Sequence, residues 1–284
     1  MSHQIMVIIR YLLQGLSLTA EQLLLILGPI MLLALVMHYI SDLTRNTAAR
    51  LVGIKPFVWF TAIGTAIHEL GHAIFCVIFG HRITDICLFN PKGETLGYVS
   101  HSYNPRSIYQ NVGNFFISTG PLWLGTALVY GLVRYLLQAD VFSAIPALSI
   151  DPQTVSSLSG WSLIGKELWL SVWHIFRLFL QPSLLGDWKF YFFLFLLFNI
   201  GSHMKLSAPD LAGVWVGFVA IYVLLLLVNL MTQWKGDFLL RMSYLAAGNL
   251  SVIYALMLFV IGLNLAVLVL VSAIKLLLNA IGIG

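Results

Sequence analysis

Two histidines and a glutamate fall within a single segment of five residues, His68-Glu69-Leu70-Gly71-His72. On a helix the two imidazoles lie one turn apart on the same face, and the glutamate lies beside them. This His-Glu-x-x-His spacing is typical of a zinc site in which the histidines bind the metal and the glutamate acts as a general base. It therefore predicts a metal-dependent hydrolase with His68 and His72 as ligands and Glu69 as catalytic residue.

The motif lies inside an apolar segment, residues 56–80, that is long enough to span a bilayer. Ionisable side chains at that depth cost free energy and are retained where they are paired or carry out chemistry. The chain of 284 residues is 60% hydrophobic and 9% charged, against about 25% charged residues in soluble domains. These features predict a multi-pass integral membrane protein, expected in a cell membrane. The net charge of +4 is too diffuse to indicate nucleic acid.

We predict an all-α polytopic fold with about six transmembrane helices. The apolar runs that define them are residues 23–40, 56–80, 112–137, 188–203, 213–231 and 250–278. A metalloprotease core, residues 56–232, would then follow an N-terminal part, residues 1–55, and precede a C-terminal loop and last helix, residues 233–284. Residues 1–20 and the charged segment 161–180 are each expected to form a helix in the membrane interface.

A short segment after the motif helix, residues 83–103, departs from the helical pattern. Residues 83–89 resemble a strand, residues 90–93 have the sequence Asn-Pro-Lys-Gly of a turn, and residues 95–100 resemble a returning strand. The pattern predicts a small β-hairpin at the membrane surface, because unpaired strand backbone is not tolerated within lipid.

A third metal ligand is needed, since a catalytic zinc takes three protein ligands and keeps one position for water. Phe75 and Ile78 stand where the metzincin continuation of the motif requires glycine and histidine, which excludes that class. Among the glutamates, the candidates are Glu21, Glu94 and Glu167, and only Glu167 lies in a helical segment downstream of the motif.

Asp210 is the favoured third ligand. It lies next to Pro209, between two apolar runs and among small residues. Irregular backbone at membrane depth is tolerated only where it faces a cavity or is buried in protein, so the carboxylate is well placed to face a metal. Gly213 and Gly217 have the spacing of close helix contacts. The alternatives left open are His203 as the ligand and a helix-capping role for Asp210.

The order of these features resembles the site-2 protease family of intramembrane zinc metalloproteases. The motif in a span is followed by a β-rich segment, by Gly120-Pro121 in the next span, by Asn199 near the end of a later span and by Asp210. The resemblance covers residues 56–217. The chain departs from the family pattern at Leu124, where an asparagine is common.

The resemblance implies Zn²⁺ bound by His68, His72 and Asp210, with Glu69 as the base and Asn199 orienting the substrate. The expected partners are the lipid bilayer and a transmembrane protein substrate, whose peptide bonds would be cleaved within the membrane. Two alternatives stay open: a non-proteolytic membrane scaffold that keeps the metal site, and a prenyl-protein protease type in which Glu167 is the third ligand. Asn199 could equally make a plain hydrogen bond between helices.

Overall fold

The computed structural model of the chain describes residues 3–93, 95–137, 145, 147–236 and 238–281. Most of these residues are helical, and one pair of strands follows the motif helix. The elements are α1 (His3–Ile26), α2 (Gly28–Val52), α3 (Ile54–Phe60), α4 (Ala62–Ile78), β1 (Arg82–Cys87), β2 (Tyr98–Ser102), α5 (Ile108–Ser118), α6 (Gly120–Leu137), α7 (Pro152–Ser156), α8 (Leu158–Phe179), α9 (Pro182–Leu185), α10 (Trp188–His203), α11 (Ala208–Thr232), α12 (Phe238–Asn249) and α13 (Ser251–Ala280).

Two of the described helices are long and apolar enough to cross a membrane, α11 with its 3-10 extension (Ala208–Lys235) and α13. The helix pairs α1–α2, α3–α4 and α5–α6 are bent by 46°, 58° and 56°, and counting each pair as one span raises the number to five. The helix α10 covers 16 residues, fewer than the roughly 20 that a bilayer core requires. The architecture is that of an α-helical membrane protein, and the sixth span stays a prediction.

The helix boundaries agree with the sequence where an apolar run has a clear cap. The observed α10 matches the predicted range 188–203. The helix α11 begins at Ala208, five residues before the predicted position 213, because Ser207 caps it through a capping box. The N-terminal helix boundaries differ from those expected: α1 runs to Ile26 rather than to residue 20, and α2 covers Gly28–Val52 rather than residues 23–40. Pro29 in the first turn favours a new helix there, and the helix outlasts the apolar run that ends near residue 40. The helix α12 was not predicted.

Glycine contacts hold the motif helix α4 against its neighbours. A Cβ atom on Gly71 would lie 2.8 Å from the carbonyl carbon of Gly120, and one on Gly120 would lie 2.6 Å from the Gly71 oxygen. The backbones of α4 and α6 therefore touch, at the break between α5 and α6 where the sequence places Gly120-Pro121. A Cβ on Gly217 of α11 would lie 2.1 Å from the amide nitrogen of Phe115 in α5. These contacts bring the start of α11 close to the motif.

The predicted hairpin directly follows the motif helix. Its strands are antiparallel and pair Ile83 with His101 and Ile86 with Val99, with an irregularity between Ile83 and Asp85. The second strand begins later than predicted, at Tyr98. Residues 95–97 instead run past the motif, where Leu96 accepts a 2.6 Å hydrogen bond from the amide of Asn90 through its carbonyl oxygen.

Gln110 of α5 fixes both ends of the hairpin. Its side chain donates to the carbonyl of Gly80 at 2.7 Å and accepts from the amide of Asn104 at 2.6 Å. Its backbone carbonyl accepts from His81 Nε2 at 2.9 Å. The two chain segments that enter and leave the hairpin are thereby bound to one helix, which positions the loop between the strands.

Candidate metal centre

The helix α4 places the three motif side chains as the spacing predicts. His68 is half-buried, and Glu69 and His72 are buried. The Nε2 atoms of His68 and His72 lie 3.2 Å apart, one helical turn separating the two residues. Both imidazoles therefore present the same ring atom to one point in space.

Backbone carbonyls at two helix ends fix the orientation of the histidines. The Nδ1 atom of His68 lies 2.7 Å from the carbonyl oxygen of His203, the last residue of α10. The Nδ1 atom of His72 lies 2.7 Å from the carbonyl oxygen of Ile117, in the last turn of α5. Carbonyls in a last turn lack partners within their own helix and are free to accept. Each Nδ1–H donates to its carbonyl, so each neutral ring is left with an Nε2 lone pair.

Asp210 reaches the histidine pair from the first turn of α11. Its Oδ1 lies 3.3 Å from Nε2 of His72, and its Oδ2 lies 3.8 Å from Nε2 of His68. The same carboxylate belongs to a capping box, in which Oδ2 accepts from the amide and hydroxyl of Ser207 at 2.7 and 2.6 Å. The carboxylate can therefore cap the helix and face the histidines at once, because Oδ2 accepts the capping hydrogen bonds and Oδ1 approaches His72. Pro209 lies inside the first turn, where a missing N–H costs nothing.

The donor set fits a metal ion. One ligand atom from each of His68, His72 and Asp210 lies within 4.8 Å of the others. Two ligands about 2.0–2.1 Å from a tetrahedral zinc are about 3.3–3.4 Å apart. Two of the observed distances, 3.2 and 3.3 Å, are close to this value, and the third, from His68 to the carboxylate, is longer at 3.8 Å. The two imidazole nitrogens and Oδ1 are all lone-pair acceptors, and no described residue supplies a hydrogen to the space between them. A cation satisfies all three at once.

A cavity of approximately 330 Å³ adjoins this group, and Glu69 and His68 form part of its wall. Residues 95–97 of the hairpin form another part: a Cβ atom on Gly97 would lie 2.6 Å from Cγ of Glu69. No described residue donates a hydrogen bond to the Glu69 carboxylate. Hydroxyl side chains also line the cavity, namely Ser41, Thr44, Thr61, Thr65, Thr95, Ser202 and Ser207. The space beside the motif is therefore suited to water.

The sequence reasoning missed this polar lining. Thr61 and Thr65 follow helical spacing within the apolar motif segment, a signal that could have identified this part of the wall. Ser41 and Thr44 lie on α2 beyond its apolar run, among other polar residues, so their spacing does not single them out. Lys205 also lines the cavity and pairs with the carboxylate of Asp42. These groups explain how a polar space persists among apolar helices.

The rival ligand His203 contributes its backbone rather than its ring. Its Nδ1 lies 3.0 Å from the carbonyl oxygen of Asn199, and its Nε2 lies 3.2 Å from the hydroxyl of Thr65. Its carbonyl instead accepts from His68. The structure therefore brings Asp210, and not the His203 ring, into the group with the two motif histidines.

Among the described residues, no other candidate ligand joins the histidine pair. Glu167 lies on α8, which packs against α13, and Glu21 accepts a hydrogen bond from Tyr244 at 2.5 Å. Glu94 lies outside the described residues.

Asn199 is fully buried: its Oδ1 is 3.4 Å from the amide of Gly64 in α4, and its Nδ2 donates to a carbonyl of its own helix. Its amide thus joins α10 to α4, as the helix-contact alternative describes.

A second histidine pair lies at the base of the hairpin. His81 is buried against the ring of Tyr103, and its Nδ1 lies 3.0 Å from Nδ1 of His101. Since His81 Nε2 donates to the carbonyl of Gln110, its Nδ1 accepts, and His101 is the donor. Burial lowers the pKa of His101, and the neighbouring His81 and His72 lower it further. The pair links β2 to α5.

Comparison with known proteins adds no further information about this site. No family model matches the chain. No curated protein and no solved structure matches it either. The chemistry of the His68, His72 and Asp210 group must therefore be argued from its geometry.

Proposed function

We propose that this protein is an intramembrane zinc metalloprotease of the site-2 protease type, which hydrolyses peptide bonds within transmembrane segments of other proteins. The observation that carries the proposal is the approach of the Asp210 carboxylate to the His68–His72 pair, with Glu69 next to a polar cavity. The three ligands are those that a catalytic zinc requires, and they leave a fourth position for water or substrate.

The residues of the chain have separable tasks in this mechanism. His68, His72 and Asp210 hold the ion, and a bound zinc supplies Lewis acidity toward a carbonyl oxygen and toward water. Glu69 accepts the proton of the attacking water and passes it to the leaving amine. The carbonyls of His203 and Ile117 keep the two imidazoles in the tautomer that can bind metal.

The hairpin is the element suited to hold the substrate. A transmembrane helix hides its carbonyls in internal hydrogen bonds and must unwind before attack. The two-stranded sheet has unpaired edges that can bind an extended segment by β-augmentation. Residues 95–97 lie against Glu69, so a segment held by the hairpin would be close to the base. In this proposal α10 provides the sixth crossing, beside the three bent pairs, α11 and α13.

The two alternative functions have less support. A scaffold that merely keeps the metal has no use for an unpaired Glu69 beside a polar cavity. A site of the prenyl-protein protease type requires Glu167, which the structure places on α8 and outside the group with His68 and His72.

Replacement of the base tests the proposal. Glu69→Gln keeps the size of the side chain and removes its ability to take a proton, so cleavage should fall by about 10²–10⁴-fold. Bound zinc, measured by elemental analysis of the purified protein, should be unchanged. Glu167→Gln is the matched control and should keep both properties.

Substrates can be found by comparing membrane-protein fragments in cells that carry the wild type or Glu69→Gln. Fragments cut within transmembrane segments should appear only with the wild type. Equal cleavage by the two proteins would refute the hydrolase mechanism.

A further inference from the structure

A second and larger cavity, approximately 930 Å³ in volume, lies between the bend of α1 and α2 and the helices α8 and α13. Apolar side chains form most of its wall, among them Leu24, Leu25, Leu33, Leu168 and Leu258. The volume is within the range of roughly 300–1,000 Å³ found for small-molecule sites. None of the metal-binding residues lines it.

Tyr254 of α13 carries an unsatisfied hydroxyl in this wall. The residue is 3% exposed, and its hydroxyl oxygen is buried without a hydrogen-bond partner among the described residues. Buried tyrosine hydroxyls usually find a partner, because an unpaired polar group in apolar surroundings costs free energy. Less than 1 Å² of the hydroxyl oxygen is accessible, so the ring has to turn before a ligand oxygen in the cavity becomes its partner.

The charge of the lining selects the ligand. Glu21 is its one carboxylate, and no lysine, arginine or histidine belongs to the lining that the described residues form. From the part of the chain that the structure describes, Glu21 accepts a single hydrogen bond, from Tyr244 at 2.5 Å, and a carboxylate can accept several more. An anionic headgroup would be repelled here, whereas an ammonium group that donates hydrogen bonds would be attracted.

The cavity communicates with the lipid-facing surface. Leu24 and Leu32 at its margin are 71% and 63% exposed, and both lie on the bent pair α1–α2 that could cross the membrane. Tyr254 lies in the first turn of α13. Asn264, ten residues further on and thus about 15 Å along the helix, contacts Thr44 in the wall of the polar cavity. The two cavities therefore lie at different depths along α13.

We propose that this apolar cavity is a binding site for a phospholipid with a primary ammonium headgroup, of the phosphatidylethanolamine class. Its hydrocarbon chain lies along the leucine wall, its ammonium group donates to Glu21, and one of its oxygens accepts from Tyr254. A quaternary choline headgroup has no N–H to donate to Glu21, and a phosphatidylglycerol headgroup lacks the positive charge. The site is independent of the proteolytic chemistry.

Lipid retention tests the proposal directly. The full-length protein is placed in nanodiscs with equal amounts of phosphatidylethanolamine, phosphatidylcholine and phosphatidylglycerol, extracted gently and analysed by native mass spectrometry. The ethanolamine lipid should be retained preferentially. Tyr254→Phe removes only the hydroxyl and should reduce its retention about 3- to 10-fold, the effect of one hydrogen bond. Tyr39→Phe, at a site 70% exposed outside the cavity, is the control.

A second variant fills the cavity. A Cβ atom on Gly28 would meet nothing within 4 Å, and Gly28 lines the cavity. Gly28→Leu should therefore fold and expel the lipid. Gly131→Leu is the matched control, because a Cβ there also meets nothing within 4 Å and the residue lies on α6, outside the lining. Equal retention of the three lipids, or unchanged retention of the ethanolamine lipid in both Tyr254→Phe and Gly28→Leu, would overturn the proposal.

Discussion

Two buried polar clusters join distant parts of this chain, and they differ in how their hydrogen bonds close. In the cluster of Thr19, Gln22 and Asn229, α1 and α11 are joined by side chains of which each is 2% exposed or less. The amide of Asn229 donates to Thr19 at 2.8 Å and to Gln22 at 2.7 Å, and Gln22 donates back at 3.3 Å. Thr19 donates to the carbonyl of Gly15. Each side-chain amide donor in this cluster has an acceptor.

The cluster of His68, His72 and Asp210 does not close in this way. The donors of both imidazoles are used on backbone carbonyls, so the groups that face one another are acceptors. A closed network stabilises a contact between helices, whereas convergent acceptors need a cation. Hydrogen-bond accounting, more than burial or residue type, thus separates a structural polar cluster from a candidate metal site.

The most severe test of the open cluster removes one ligand. His72→Ala leaves two protein ligands. Loss of a residue that only hydrogen-bonds a ligand lowers metal affinity by up to about 100-fold. Loss of a ligand itself should therefore lower the affinity by at least that factor. Cleavage should be lost with the metal. A competition titration with a chelator measures the affinity. If His72→Ala bound metal as tightly as the wild type, the convergence of acceptors would have another explanation.

A less severe change leaves all ligands in place and moves their neighbour. Gly97→Ala would put a Cβ atom 2.6 Å from Glu69 Cγ and 3.0 Å from the Leu88 carbonyl oxygen. Because a displacement of about 1 Å in an active site can cost about 100-fold, cleavage should fall by up to that factor while metal binding is retained. Gly131→Ala is the control. If Gly97→Ala cleaved at the wild-type rate, the contact between the hairpin and Glu69 would have no role in catalysis.

The closed cluster should respond through stability alone. Gln22→Leu leaves part of the Asn229 amide buried without a partner and should cost about 1–3 kcal/mol of unfolding free energy. Replacing both partners, Gln22→Leu with Asn229→Leu, should recover most of that loss, because two apolar groups leave nothing unpaired. Thermal unfolding in a fixed detergent compares the variants, and metal content should be equal in all of them. Loss of metal in Gln22→Leu would contradict a purely structural role for this cluster.

The smallest expected effect is at an exposed pair on the hairpin. The Tyr98 hydroxyl donates to Asp85 at 2.7 Å, and this hydrogen bond with the nearby charge raises the pKa of Tyr98 above its ordinary value. Asp85→Asn should bring the pKa of Tyr98 down. The stabilisation from the pair is present below the unfolded tyrosine pKa and is lost as pH rises through the raised one. Tyrosinate absorbance, with Tyr98→Phe to assign the signal, measures the shift; an unchanged pKa in Asp85→Asn would contradict it.

The sequence predicted those elements that are determined by a few neighbouring residues. The motif helix, the hairpin and α10 follow from apolar length, alternation and turn residues. Gly-Pro stands at two of the bends, Gly28-Pro29 between α1 and α2 and Gly120-Pro121 between α5 and α6. The same dipeptide stands at both breaks, so the α1–α2 bend also had a local signal, and the sequence analysis missed it.

Contacts between distant segments were harder to predict. Asp210 was favoured for its setting and for the family resemblance, and the structure brings it to the histidines. The carbonyl of His203 as the partner of His68 could not be read from residue type, because every residue has a carbonyl. The Gln22–Asn229 pair was missed for a similar reason, since amides in apolar helices do not reveal their partners.

Zinc stoichiometry in the wild type and in Asp210→Asn tests the central claim most directly. Asparagine keeps an oxygen that can accept from the amide of Ser207, so the start of α11 should persist while the anionic ligand is lost. We predict one zinc per chain in the wild-type protein purified without chelator, and strong depletion in Asp210→Asn at unchanged thermal stability of the zinc-free forms. A wild-type protein that binds no zinc, or an Asp210→Asn variant that retains it fully, would contradict the account.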